Sequence, residues 1–231
     1  MRKRLAALVC ALVAVTACGS PAERRVETPP DRPPAQAPAA RAARPRVVVL
    51  GDSLTAGLGV QPDEAYPALL QRMIDGEGLN YEVINAGVSG DTSAGGLSRL
   101  DWALEGDVRV LVVALGGNDA LRALPAGELG QNLSTIIERA QARDITVVLA
   151  GMEAPRNFGR DYVVKFHQVY PDVARKYNVA LVPFLLQNVA GIDRLNQRDV
   201  IHPTPEGAKI VAANVWPVLK PVLTAKAAAH S

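Results

Sequence analysis

From residue 46 onward, apolar and polar positions follow two alternating rhythms. Short runs rich in Val, Ile and Leu at 47–50, 81–84, 108–115, 145–150 and 180–184 are bounded by Gly, Asn or Pro. Runs of that length and composition predict five buried strands. Between and after them, stretches at 66–75, 93–104, 128–143, 162–177 and 205–219 carry the helical spacing. In the third, Leu129, Leu133, Ile136, Ile137 and Ala140 form the stripe that a helix presses onto a sheet. Thr204-Pro205-Glu206 is a helix start: a hydroxyl cap, a proline at the first turn and an acid at the positive end of the dipole. Strand and helix alternate five times, which predicts an α/β fold. Its expected form is a three-layer α/β/α sandwich around a five-stranded parallel sheet. No internal repeat is visible.

The chain before residue 46 obeys neither rhythm. Arg2, Lys3 and Arg4 precede an apolar run at 5–15, too short at about 1.5 Å per residue to span a bilayer core of roughly 30 Å. It reads as a signal peptide over 1–17. Val15-Thr16-Ala17-Cys18 resembles a bacterial lipobox, which implies lipidation of Cys18 and an anchor in the outer membrane facing the periplasm. Of the 27 residues from 19 to 45, fourteen are Pro or Ala and none is aromatic. That composition cannot offset chain entropy by burial, so 18–45 is expected to be a lipid-anchored spacer. Residues 223–231 are expected to form a disordered tail, leaving 46–222 as one folded domain.

Charge follows the same division. The formal charge of the 231 residues is +2, yet from residue 46 there are 17 basic and 20 acidic side chains. The basicity belongs to the leader and spacer, and the folded part offers no basic face for nucleic acid. Cys10 and Cys18 are the only cysteines, so the domain has no disulfide and no thiolate metal site. The expectation is no metal, no cofactor, no nucleic acid and a monomer.

In an open parallel sheet, ligands bind at the carboxyl ends of the strands. Three polar turns fall there: Gly51-Asp52-Ser53-Leu54, the segment from Asn85 through Gly90 to Asp91, and Gly116-Gly117-Asn118-Asp119. A hydroxyl, a flexible backbone turn and an amide thus converge on one crevice. Of three histidines, His230 is almost terminal and His167 sits mid-helix as a surface or boundary residue. His202 precedes Pro203 and so belongs to a loop. Asp199, three residues earlier, can fold its carboxylate onto one imidazole nitrogen and leave the other to take a proton from a serine. Asp52 and Asp119, beside glycines at strand ends, are expected to satisfy backbone N–H groups rather than do chemistry.

These blocks, with Asp199-Val200-Ile201-His202-Pro203, resemble the GDSL or SGNH hydrolases in order and approximate spacing. The stretch from Asn85 to Ser93 and the Pro155-Arg156-Asn157-Phe158-Gly159-Arg160 segment are similar to that family's multifunctional thioesterase, arylesterase and lysophospholipase branch. The resemblance implies the flavodoxin-like SGNH hydrolase fold. It assigns Ser53 as nucleophile, His202 as general base and acid, and Asp199 as its orienting partner. The oxyanion hole would be the N–H groups of Ser53 and Gly90 with the Asn118 amide, and Leu121, Leu124 and Asn157 would line the substrate crevice. It further implies a serine esterase acting on short to medium acyl or aryl esters and thioesters, lysophospholipids among them. Two other readings stand beside it: a carbohydrate O-acetyl esterase, and a lipid-anchored binding module without catalysis.

Overall fold

The computed structural model describes residues 44–228. The leader, the lipobox cysteine Cys18, nearly all of the spacer and His230 lie outside the described residues. Strand β1 spans Arg46–Gly51, β2 Glu82–Gly87, β3 Val108–Ala114, β4 Thr146–Ala150 and β5 Ala180–Val182. They form one sheet in the order β2-β1-β3-β4-β5, and every pairing is parallel. This is the expected five-stranded parallel sheet. Val47–Leu50 of β1 and Val110–Leu115 around β3 are essentially inaccessible, which is why those central runs are almost unbroken Val and Leu.

Among the described residues there are eight α-helices, in chain order α1 Ser53–Ala56, α2 Tyr66–Gly76, α3 Ser93–Ser98, α4 Leu100–Ala103, α5 Gly117–Leu121, α6 Ala126–Gln141, α7 Arg160–Tyr177 and α8 Pro205–Ala228. Helix α2 packs on α8, while α6 packs on both α3 and α7. The apolar stripe read from the sequence, Leu129 to Ala140, is the buried face of α6.

Register places the site. Gly51 pairs with Gly87 on one side and with Ala114 on the other, so β1, β2 and β3 end level and their three polar turns start from one rim. Both glycines are required by close approach. A Cβ on Gly51 would lie 1.9 Å from Thr55 Oγ1, and one on Gly87 would lie 2.2 Å from the Ala56 backbone nitrogen. Only bare backbone lets α1 fold back over the strand ends.

The structure departs from the sequence expectation in several places: β5 ends at Val182, two residues short of the expected 180–184, and the short helices α1 and α5 are additional to those expected. Strand β2 runs three residues beyond the expected 81–84, because the ladder to β1 continues through Asn85 and Ala86 to Gly87. The expected helix at 93–104 is broken at Arg99, whose φ of −108° ends α3 and opens α4. At the start, Arg44, assigned to the spacer, pairs with Asp75 at 2.7 Å. At the end, 223–228 is helix, not disordered tail. Pro217 and Pro221 lie inside α8 but four residues apart on its exposed side, where water can serve the carbonyls that lose an N–H partner. The opposite side buries Val211, Val215, Leu219 and Leu223 completely or nearly so, and the Tyr81 hydroxyl donates to Leu223 O at 3.3 Å.

Candidate active site

Ser53 is the first residue of α1. Asp52 caps that helix, its Oδ1 accepting from Leu54 N at 3.0 Å. The Ser53 N–H belongs to the opening turn, where no intrahelical acceptor exists. Asp52 is 2 % exposed, and burial pushes its carboxyl up to about 6, against the lowering effects of the Leu54 N–H, the His202 charge and the Asn118 amide.

Gly90 occupies the third position of a turn closed by Asp91 N donating to Val88 O at 3.1 Å. Its φ is +87°, and a Cβ there would meet only Arg122 Nη2 at 3.9 Å. The turn conformation, not crowding, is the reason for glycine. Asn118, in the first turn of α5, donates from Nδ2 to Asp91 O at 2.9 Å and to Asp52 Oδ2 at 3.2 Å. One side-chain amide therefore ties the second and first polar turns to the third. Arg122, at the end of α5, donates to Gly90 O at 2.8 Å.

His202 is delivered by a loop pinched between Asn196 and Pro203, which form an isolated antiparallel bridge. Gln197 N donates to His202 O at 2.7 Å, and Thr204 N to Leu195 O at 2.9 Å. Inside the loop, Asp199 Oδ1 accepts from the backbone N–H groups of Ile201 and His202, both at 3.0 Å. Asp199 Oδ2 lies 2.7 Å from His202 Nδ1. The backbone N–H of His202 first, then that of Ile201 and the imidazole, hold the Asp199 carboxyl down at about 2. The turn is strained: Val200, a β-branched residue, has a φ of +57°, a conformation that persists only where surrounding contacts enforce it. The other ring nitrogen, Nε2, is 2.9 Å from Ser53 Oγ across 149 residues of sequence.

A cavity of about 730 Å³ opens over this group. Ser53, Gly90, Asn118, Leu121 and His202 all border it, with Leu58, Met152, Pro155, Arg156, Phe184, Val200 and Ile201 among its walls. Two residues read from the sequence as crevice-lining do not border it. Leu124 is half-buried, its backbone carbonyl accepting from Tyr162 Oη at 2.9 Å. Asn157 sits in the short helical turn Arg156–Phe158, and its neighbours Pro155 and Arg156 supply the wall instead. His167 is exposed on α7. Asp119 accepts from the backbone N–H and hydroxyl of Ser93, the turn-holding role expected of it. Asp52 does more than that, because its second oxygen holds the Asn118 amide. Sequence reasoning missed Gln197, whose Nε2 donates to Leu58 O at 2.7 Å and so ties the His202 loop to the segment after α1.

A hydroxyl, an imidazole and a carboxylate in hydrogen-bonded series at the carboxyl rim of a parallel sheet is the arrangement that defines serine hydrolases as a class. Residues 49–210 match the model of the GDSL-like lipase/acylhydrolase family, and the chain belongs to that family. It is a carboxylic ester hydrolase. It is 43% identical over 184 residues to the esterase TesA of Pseudomonas aeruginosa, covering 79% of this chain and 92% of that one. With the thioesterase 1/protease 1/lysophospholipase L1 of Escherichia coli K12 it shares 35% identity over 183 residues, 79% of this chain and 86% of the relative. The crystal structure of TesA superposes with a TM-score of 0.74 at 43% identity, covering 77% of this chain and 99% of that one.

Proposed function

We infer that the protein is a serine esterase in which Ser53, His202 and Asp199 form the triad. Its substrates are short to medium acyl or aryl esters and thioesters, with single-chain phospholipids within range. The observation that carries this reading is the unbroken series Ser53 Oγ, His202 Nε2, His202 Nδ1, Asp199 Oδ2, with spacings of 2.9 and 2.7 Å. In the first half-reaction Ser53 Oγ attacks the acyl carbonyl while its proton passes to His202 Nε2. Asp199 fixes the tautomer and stabilises the imidazolium. The carbonyl oxygen becomes an oxyanion, held by the N–H groups of Ser53 and Gly90 and by Asn118 Nδ2. Collapse expels the alcohol or thiol, which leaves with the proton from His202 Nε2. Water then attacks the acyl-enzyme by the same steps and frees the acid and Ser53.

Both hydrogens of the Asn118 amide are engaged before substrate arrives. The longer contact, 3.2 Å to Asp52 Oδ2, is the one an oxyanion replaces at least cost. The acyl preference is supported by the mouth of the cavity. Leu58, Leu121, Val200 and Ile201 border it while remaining 39–66 % exposed, an apolar collar that suits an acyl chain better than a sugar. The sequence before the domain adds a location: a cell-envelope enzyme, lipidated at Cys18 and held to the membrane by the spacer.

Replacing Ser53 by Ala tests the chemistry. Hydrolysis of a p-nitrophenyl butyrate ester should vanish while the cooperative unfolding transition remains, and residual turnover at the original rate would remove Ser53 as nucleophile. A chain-length series of esters and thioesters, run beside acetylated xylan, separates acyl from sugar-ester specificity. For the anchor, Cys18→Ser should move the protein from the membrane fraction to the soluble one.

A further inference from the structure

The oxyanion donors assigned above sit on three separate turns, and their relative placement must be fixed within a fraction of an ångström to favour the transition state. One side chain outside the site bridges two of those turns. Arg99 stands at the break between α3 and α4, where its backbone belongs to neither helix interior. Its Nη2 donates to Gly51 O at 2.9 Å, two residues before the nucleophile. Its Nε donates to Asp91 Oδ2 at 2.6 Å, one residue after Gly90. The side chains of Arg99 and Asp91 are only 16 % and 18 % exposed, so the pair is far less screened than a surface ion pair.

The rest of the Gly90 turn converges on the same points. Val88 N donates to Gly51 O at 3.0 Å, Asp91 N closes the turn onto Val88 O, and Asp91 O receives the Asn118 amide. On its other side the Asp91 carboxylate is crowded by α3, where a Cβ on Gly95 would come within 2.7 Å of Asp91 Oδ1. Gly51 O and Asp91 are thus the two anchor points of the turn, and a single planar guanidinium spans them. A lysine, with one point of charge, cannot reproduce that fork.

We propose that Arg99 is a positioning residue for the oxyanion hole: it sets the separation between the Ser53 and Gly90 N–H groups by clamping the Gly51 carbonyl to the Asp91 carboxylate. It touches no substrate. It also neutralises a carboxylate that would otherwise stand uncompensated one residue from an oxyanion donor. The proposal rests on the serine-esterase reading for its kinetic consequence, but not for its structural one.

The test uses the full chain with Arg99→Ala and Arg99→Lys. Because a directly contacting oxyanion donor is worth about 10²–10³ in kcat, loss of an indirect clamp should lower kcat of Arg99→Ala by roughly 10–100-fold on p-nitrophenyl butyrate, with KM within about twofold. Arg99→Lys should fall between. Guanidinium at low, non-denaturing concentration should restore kcat of Arg99→Ala several-fold where sodium chloride of equal ionic strength does not. Hydrogen exchange at the Asp91 amide, which closes the turn, reads the clamp without any substrate. It should quicken by about tenfold in both variants while β3 amides keep their protection, and it decides the matter through Arg99→Lys if Arg99→Ala fails to fold. Unchanged exchange at Asp91, a kcat within twofold of the parent, or a loss confined to KM would overturn the proposal. Failure of the serine-esterase reading shows differently, as turnover that survives Ser53→Ala whatever happens at Arg99.

Discussion

Asp52 is a buried acid whose protonation should be visible in the stability of the whole protein. Desolvation raises its carboxyl from an ordinary 3.8 to about 6 in the folded state. The unfolded chain releases this proton near pH 4, while the native state holds it to about pH 6. Between those values the native state binds more protons, so stability falls as pH rises. A displacement of about two pH units, at 1.36 kcal/mol each, is worth about 3 kcal/mol across the window. Asp52→Asn replaces the acid with a group that resembles its protonated form and cannot ionise. Urea unfolding of parent and variant from pH 4.5 to pH 8 should therefore give curves that draw apart by about 2 kcal/mol toward neutrality, the remaining ~1 kcal/mol having been lost below pH 4.5, with the parent losing stability relative to the variant. Asp199 works in the opposite sense, but its contribution is present above 3.8 and lost only as pH falls through about 2, below the scanned range. Curves that stay parallel from pH 4.5 to pH 8 would refute the reasoning, since they would mean that Asp52 ionises alike in both states.

Other substitutions probe separate links. Asn118→Ala removes an assigned oxyanion donor and should lower kcat by about 10²–10³, or roughly 3–4 kcal/mol of barrier, with KM nearly unchanged in steady-state ester hydrolysis. Gly87→Ala places a Cβ 2.2 Å from the Ala56 backbone nitrogen and should cost several times the ~1–2 kcal/mol of strain expected for Gly78→Ala. Gly78 has a φ of +67° but open space around it, and paired urea titrations compare the two. Leu223→Ala empties a fully buried position in the last turns of α8 and should destabilise by about 2–5 kcal/mol. A cost below 1 kcal/mol would show that the end of α8 is not docked.

What was legible in the sequence, and what was not, divides along a physical line. The three central strands β1, β3 and β4 were visible because burial on both sides forces Val, Ile and Leu into nearly unbroken runs, the edge strands β2 and β5 from shorter apolar runs that are only partly buried, and α6 because its buried stripe repeats every three to four residues. Ser53, Gly90, Asn118, Asp199 and His202 were visible because few residue types can do what those positions require, so the choice leaves a short motif. Boundaries were less legible. The helix expected over 205–219 ends two residues before Pro221, whereas Pro217 and Pro221 both face solvent and α8 continues past Leu223.

The residues that hold the motifs in register left almost no trace. The Arg99 contact to Gly51 spans 48 positions and the Gln197 contact to Leu58 spans 139, distances over which nothing in a linear pattern identifies the partner. Chemistry constrains the second class of residue much less than the first. A nucleophile must be a hydroxyl on one particular turn, and a donor turn with φ near +87° favours glycine, but a tie between two carbonyls can start from any donor on any neighbouring element. Asp52 stands between the two classes. Its adjacency to Ser53 made it conspicuous and its turn-capping role readable, whereas its hold on Asn118, 66 residues away, is a tertiary fact. What tertiary structure adds to the motifs is therefore mainly restraint: the carbonyls and carboxylates through which Asn118 and Arg99 tie the three polar turns together.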